Sequence, residues 1–158
     1  MKTRRIFLIV SATILIATGL VKLVSAGGEA RSLNLPDPLL YLTNRQVFLA
    51  VGVLELALAS YFVFGRRLQL QLLALAWLTT NFAIYRLALW RGNIAKPCGC
   101  LGHAVDWWPW LMKHQDSVMK GLLAFMLVGA YGFLWADWRN TRREGIVAKH
   151  LPAKTDSA

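Results

Sequence analysis

Apolar residues along the chain gather into four stretches, at about 6–26, 46–64, 68–90 and 118–138, with polar and charged positions collected between them. A helix rises about 1.5 Å per residue, so about 20 apolar positions are needed to cross the hydrocarbon layer of a bilayer. The pattern therefore predicts an all-α fold: a polytopic transmembrane four-helix bundle over residues 1–138, followed by a polar tail at 139–158. Between the second and third stretches stand only Gly65, Arg66 and Arg67, a link short enough to force an antiparallel helical hairpin. The other two links are longer, at 27–45 and 91–117. The first holds Gly27-Gly28 and Pro36-Asp37-Pro38, which rules out one regular helix through it.

Charge sharpens this picture. Lys and Arg number 18 against 8 Asp and Glu, a balance that invites a nucleic-acid reading. Placement excludes it, because the basic residues flank the apolar stretches, where they act as topology signals. Lys2, Arg4, Arg5, Arg66, Arg67 and the tail cations fall on one side of a four-span protein. The two long links carry Arg31, Arg45, Arg91, Lys96 and Lys113 together with four acids. The bias predicts that both termini are cytoplasmic, with links 27–45 and 91–117 exported from a bacterial inner membrane. Residues 1–26 also fit the loose pattern of a cleaved signal peptide, ending in Val24-Ser25-Ala26. Their apolar run is longer than the usual signal core and is broken by Lys22, so a retained first helix is expected.

Three ionisable residues lie inside the apolar stretches: Lys22, Glu55 and Arg86. An intramembrane charge must be paired, hydrated or carried to the interface on a long stem. Lys22 and Arg86 have such stems; Glu55, near the middle of its stretch, does not. A protonated Glu55 is one solution and pairing with Lys22 or Arg86 is another. Ser11, Thr18, Lys22 and Ser25 recur at helical spacing and predict an inward polar stripe, while Gly52 and Ala59 flank Glu55 and permit close helix approach. An inward cluster of Lys22, Glu55 and Arg86 is the expected arrangement.

The link at 91–117 has the most chemical character. Its Cys98-Gly99-Cys100 holds both cysteines of the chain, on the side where disulfides form. A disulfide across one intervening residue closes a small, strained ring that is easily reduced, and closing so short a loop removes little unfolded-state entropy. Redox or exchange chemistry therefore explains the pair better than stapling does. Arg91, Lys96 and His103 are placed to favour a thiolate. Cys98, Cys100 and His103, with His114 more distant, are the alternative as soft-metal ligands, although one spacer residue is short for a structural zinc site. Trp107, Trp108 and Trp110 read as an interfacial anchor or as a ring platform for a partner or a quinone headgroup.

Gly19-Leu20-Val21-Lys22-Leu23, Val53-Leu54-Glu55-Leu56 and Arg91-Gly92 leading to Cys98-Gly99-Cys100-Leu101-Gly102 together resemble the MauE family within the DoxX-like four-helix membrane proteins. The resemblance spans 6–136, with Leu101 where that family typically has Phe and with a longer, Trp-rich stretch at 106–110. It implies an inner-membrane protein whose exported cysteines assist thiol-disulfide chemistry during maturation of a periplasmic partner, in the namesake case the disulfide-rich small subunit of methylamine dehydrogenase. Cys98 and Cys100 would carry the exchange, supported by Lys22, Glu55, Arg86, Arg91, Lys96 and His103. No resident cofactor is expected, and a quinone is the lipid-phase electron carrier such a pair could meet. The competing reading is a non-enzymatic assembly subunit of a larger membrane complex, whose Trp-rich loop docks an exported domain.

Overall fold

A computed structural model describes residues 2–28, 31–37, 41–92 and 109–150 of the chain. Its helices are α1 (Lys2–Ala26), α2 (Asn44–Phe64), α3 (Leu68–Arg91) and α4 (Pro109–His150), with a short 3-10 helix at Arg31–Asn34. All four α-helices are long and apolar enough to cross a membrane. A four-helix transmembrane bundle is thus the architecture of the described residues.

The helix ends follow local chemistry rather than the edges of the apolar stretches. Thr43 caps α2 through a reciprocal capping box with Gln46, so that helix begins at Asn44 instead of 46. Similarly, α1 runs back to Lys2. The largest departure is α4, which has 42 residues where a span of 118–138 was expected. Residues 109–117, expected in a link, and 139–150, expected in a polar tail, are both helical. Bilayer thickness sets how many positions must be apolar; it does not set where a helix stops. Pro109 is pre-shaped for a first helical position, no proline follows until Pro152, and the Arg, Glu, Ala and Lys of 139–150 are mostly good helix formers.

Packing is tightest between α1 and α2, then between α3 and α4, with fewer close backbone approaches elsewhere. The α2–α3 reversal expected from Gly65-Arg66-Arg67 is present, and it is held mainly at its turn. There the buried Gln71 side-chain amide donates to the carbonyls of Tyr61 (2.8 Å), Gly65 (3.1 Å) and Phe62 (3.2 Å). These carbonyls lie in the last turn of α2 and at its cap, where acceptors run short of helical donors; that of Tyr61 also accepts the Gly65 N–H. At the same end Arg4 pairs with Asp137, joining α1 to α4. The termini of the bundle and the 65–67 turn therefore share one end, the terminal end; the longer links share the other, the loop end.

The apolar core lies toward the terminal end. Phe7, Leu8, Ala12 and Leu15 of α1 meet Ala59 and Phe62 of α2, Leu72, Leu75 and Leu78 of α3, and Met126 and Ala130 of α4. Phe7 sits edge-on to Phe125 and tilted against Phe133, with ring centroids 5.5 and 5.2 Å away.

The α1–α2 crossing is possible because both helices present glycine. A Cβ on Gly19 would lie 3.1 Å from the Gly52 carbonyl oxygen, and a Cβ on Gly52 would lie 3.0 Å from Leu23 and 3.1 Å from the Gly19 carbonyl oxygen. Gly52→Val should therefore separate α1 from α2 and destabilise the protein by about 1–3 kcal/mol, the usual cost of overpacking. Unfolding in mixed micelles measures this, and a variant as stable as the parent would show that the crossing tolerates a larger residue.

Candidate functional site

Beyond the glycine crossing, toward the loop end, the bundle becomes polar. Lys22, Glu55 and Thr18 are all buried, with Lys22 only 5% and Glu55 only 2% exposed. Lys22 Nζ donates to Glu55 Oε1 at 2.7 Å and to Oε2 at 2.8 Å. The Thr18 hydroxyl lies 3.1 Å from Glu55 Oε2 and 3.1 Å from the Ile14 carbonyl oxygen, so its single proton serves one of them at a time. Lys22 Nζ also stands 5.9 Å from the centroid of the Phe82 ring on α3, within cation–π range.

Lys22 starts nearer the loop end than Glu55, yet the two side chains meet. Cα–Cβ bonds tilt toward the N-terminus of their own helix. In antiparallel α1 and α2 those tilts converge, bringing Lys22 inward and Glu55 outward. The sequence mirrors this arrangement, with Gly19 three positions before Lys22 and Gly52 three before Glu55.

The pair confirms two of the three expected members of the inward cluster and one of the two expected solutions for Glu55. Arg86 is half buried on α3, one turn beyond Phe82, and is not among the partners of Glu55, which are Lys22 and Thr18. Arg91 is exposed at the end of α3. Trp110 falls in the first turn of α4 instead of in an irregular link. Lys96, Cys98, Cys100, His103, Trp107 and Trp108 lie outside the described residues, as do three of the four alternative metal ligands. Among the described residues, no three His, Cys, Asp or Glu are grouped to hold a metal.

Sequence reasoning missed the polar ties that close the loop end. Asp37 is buried, and the Tyr85 hydroxyl donates to its Oδ2 at 2.6 Å. The Asp37 backbone N–H donates to the Leu42 carbonyl at 2.7 Å, Asn44 N–H to the Leu35 carbonyl at 3.0 Å, and Pro36 bridges Thr43 in antiparallel fashion. The link thus folds back on itself and is tied down to α3. Arg45 Nε donates at 2.8 Å to the carbonyl of Ala26, satisfying an orphan acceptor at the end of α1. Tyr85 carried a detectable signal, since it follows Phe82 by three positions and ends in a hydroxyl that a buried site must satisfy.

Four long apolar helices with a buried ion pair between α1 and α2, and with the first link tied down at one end, define a multi-pass membrane bundle. Over residues 3–139 the chain matches the family described as methylamine utilisation protein MauE, and it belongs to that family. No curated protein and no solved structure matches it.

If the ion pair holds α1 against α2, Lys22→Met and Glu55→Gln should each cost about 3–5 kcal/mol by leaving a buried partner behind. Their double-mutant cycle should show a coupling of about 0.5–3 kcal/mol. The matching cycle between Glu55 and Arg86→Met should be additive. Unfolding of the purified variants measures both, and additivity in the Lys22 cycle would reject the pair as a stabilising contact.

Proposed function

We propose that this protein is a thiol-disulfide exchange protein of the bacterial inner membrane, serving the maturation of an exported partner through Cys98 and Cys100. The observation that carries this reading is membership of the MauE family by a chain whose only two cysteines stand as Cys-Gly-Cys between α3 and α4. In the exchange, a thiolate from one cysteine attacks a partner disulfide, forming a mixed disulfide and releasing one partner thiolate. The second cysteine then displaces the partner, which leaves with both thiols reduced as Cys98 and Cys100 become the disulfide. The reverse sequence oxidises the partner. Either direction moves two electrons, so the pair must be reset by a dithiol protein or by a carrier of the quinone class.

Arg91, Lys96 and His103 would favour the attacking thiolate, and Trp107, Trp108 and Trp110 would meet the interface or the partner. The gathering of Lys2, Arg4, Arg5, Arg66, Arg67, Arg139 and Arg142 at the terminal end supports a cytoplasmic placement of that end and an exported Cys-Gly-Cys link.

Two experiments test the proposal. With Cys98→Ser or Cys100→Ser in native membranes, one single variant should accumulate a mixed disulfide that is absent from the double variant. If no cysteine-dependent adduct forms under oxidising or reducing conditions, and a stoichiometric complex keeps its function without both cysteines, the protein is an assembly subunit instead. For topology, a membrane-impermeant maleimide should label Cys98 and Cys100 in intact cells, while reporters at 65–67 and at the C-terminus should report cytoplasm. The opposite pattern would place the pair in a reducing compartment and remove the basis of the exchange chemistry.

A further inference from the structure

The terminal half of the bundle carries a feature that the cysteine chemistry does not use. Between α1 and α4 runs an apolar groove of about 460 Å³, open to the surrounding lipid. Ile6, Phe7 and Val10 form one wall; Phe125, Val128 and Phe133 form the other. On α4, Phe125, Gly129, Phe133, Ala136 and Asn140 follow one another at steps of four or three, so they occupy one stripe of the helix. Ala136 and Asn140 line a second depression of about 260 Å³ with Trp135 and Arg139. The apolar groove and this notch, to which Arg139 and Asn140 bring polar groups, therefore succeed each other along one face of α4. From Phe125 to Asn140 the helix rises about 22 Å, close to the depth of one leaflet with its headgroup layer.

The chemistry of the notch selects among lipids. The Arg139 guanidinium lies 4.6 Å from the centroid of the half-exposed Trp135 ring, which holds its planar fork of N–H donors at the notch. Arg142 is stacked the same way on Trp138, at 4.0 Å. The neighbouring carboxylate, Asp137, is already engaged by Arg4. Among the residues whose side chains are described, Asp137 is the one acid at this end, against Lys2, Arg4, Arg5, Arg66, Arg67, Arg139 and Arg142.

We propose that the α1–α4 groove and the Trp135–Arg139–Asn140 notch form a binding site for one anionic phospholipid, with an acyl chain between the helices and the phosphate on Arg139. The headgroup receives charge-assisted hydrogen bonds from the guanidinium and a neutral donor from the Asn140 amide. A zwitterionic lipid fills the groove equally well and brings no net charge to a cationic mouth.

Native mass spectrometry of the full-length protein, equilibrated with equal amounts of phosphatidylglycerol and phosphatidylcholine of matched chains, tests the site. The unaltered protein should retain one phosphatidylglycerol in about fivefold preference, the increment expected from one basic residue near a phosphate. Arg139→Gln should abolish the preference. Arg67→Gln, which removes an exposed cation of the same end outside the groove, should leave it unchanged. Val128→Trp, which fills the groove from its lipid-exposed side, should lower the retention of both lipids. Absence of preference in the unaltered protein, equal losses in the two arginine variants, or full lipid retention by Val128→Trp would each overturn the proposal.

Discussion

An ammonium and a carboxylate held 2.7 Å apart inside a lipid-facing bundle impose more on this protein than any other contact in it. Removing two charges from water costs several kcal/mol each, and the cost is offset only by good geometry and satisfied lone pairs. Each neighbouring feature meets part of that demand. Gly19 and Gly52 let the helix backbones approach, the antiparallel tilt of the Cα–Cβ bonds turns the two side chains toward one another, and Thr18 supplies a further donor to Oε2. Lys22 contributes hydrogen bonds to both carboxylate oxygens and lies over Phe82, bringing α3 to the same place. Lipid tails are as apolar as leucine and provide no hydrophobic force between spans, so close packing and polar contacts decide which helices become neighbours. That accounts for α1 and α2 forming the tighter pair, although α2 and α3 are joined by the shorter link.

The two ends of the bundle solve different problems. At the terminal end, Gln71 serves the last carbonyls of α2 and Arg4 joins α1 to α4 beside an apolar core. At the loop end, Arg45 serves the last carbonyl of α1, and Tyr85 with Asp37 ties the first link to α3. The helices that flank the Cys-Gly-Cys segment are therefore fixed independently, α3 through Phe82 and Tyr85 and α4 through its long packing against α3 and the Phe7 cluster.

Much of this was legible in the sequence for a physical reason: intramembrane charges leave few choices. The four spans, the polar stripe of α1 and the need of Glu55 for a partner follow from the cost of unsatisfied polar groups in lipid. The preference for Lys22 over Arg86 was not legible from depth, because the two lie at equivalent depth on helices antiparallel to α2; the close Gly19–Gly52 crossing of α1 with α2 decides it. The ends of α4 were missed because hydropathy reports the bilayer, while Pro109 and the helix-forming residues of 139–150 report the helix. The Asp37–Tyr85 contact joins residues far apart in sequence through a link whose fold depends on its own backbone hydrogen bonds, so the spacing of Tyr85 from Phe82 marks its face but not its partner. The cysteine link, recognised from its motif, lies outside the described residues.

The position of the ion pair also limits what it can contribute to chemistry at the loop. Of the three N–H groups on Lys22, the geometry directs hydrogen bonds to the two oxygens of Glu55 and sets the ammonium against the Phe82 ring. The carboxylate is met by Lys22 and Thr18, both from α1. A cation so fully engaged and so far from water is a poor stabiliser for a thiolate forming on another segment, since turning toward it would strand Glu55 in a low-dielectric interior. In the proposed exchange the pair would act through helix position: it holds α1 and α2, Phe82 brings α3 to the same place, and α3 leads into the cysteine link. In the proposed exchange, electrostatic help for a thiolate would come from cations nearer the pair in sequence, of which Arg91 stands exposed at the end of α3.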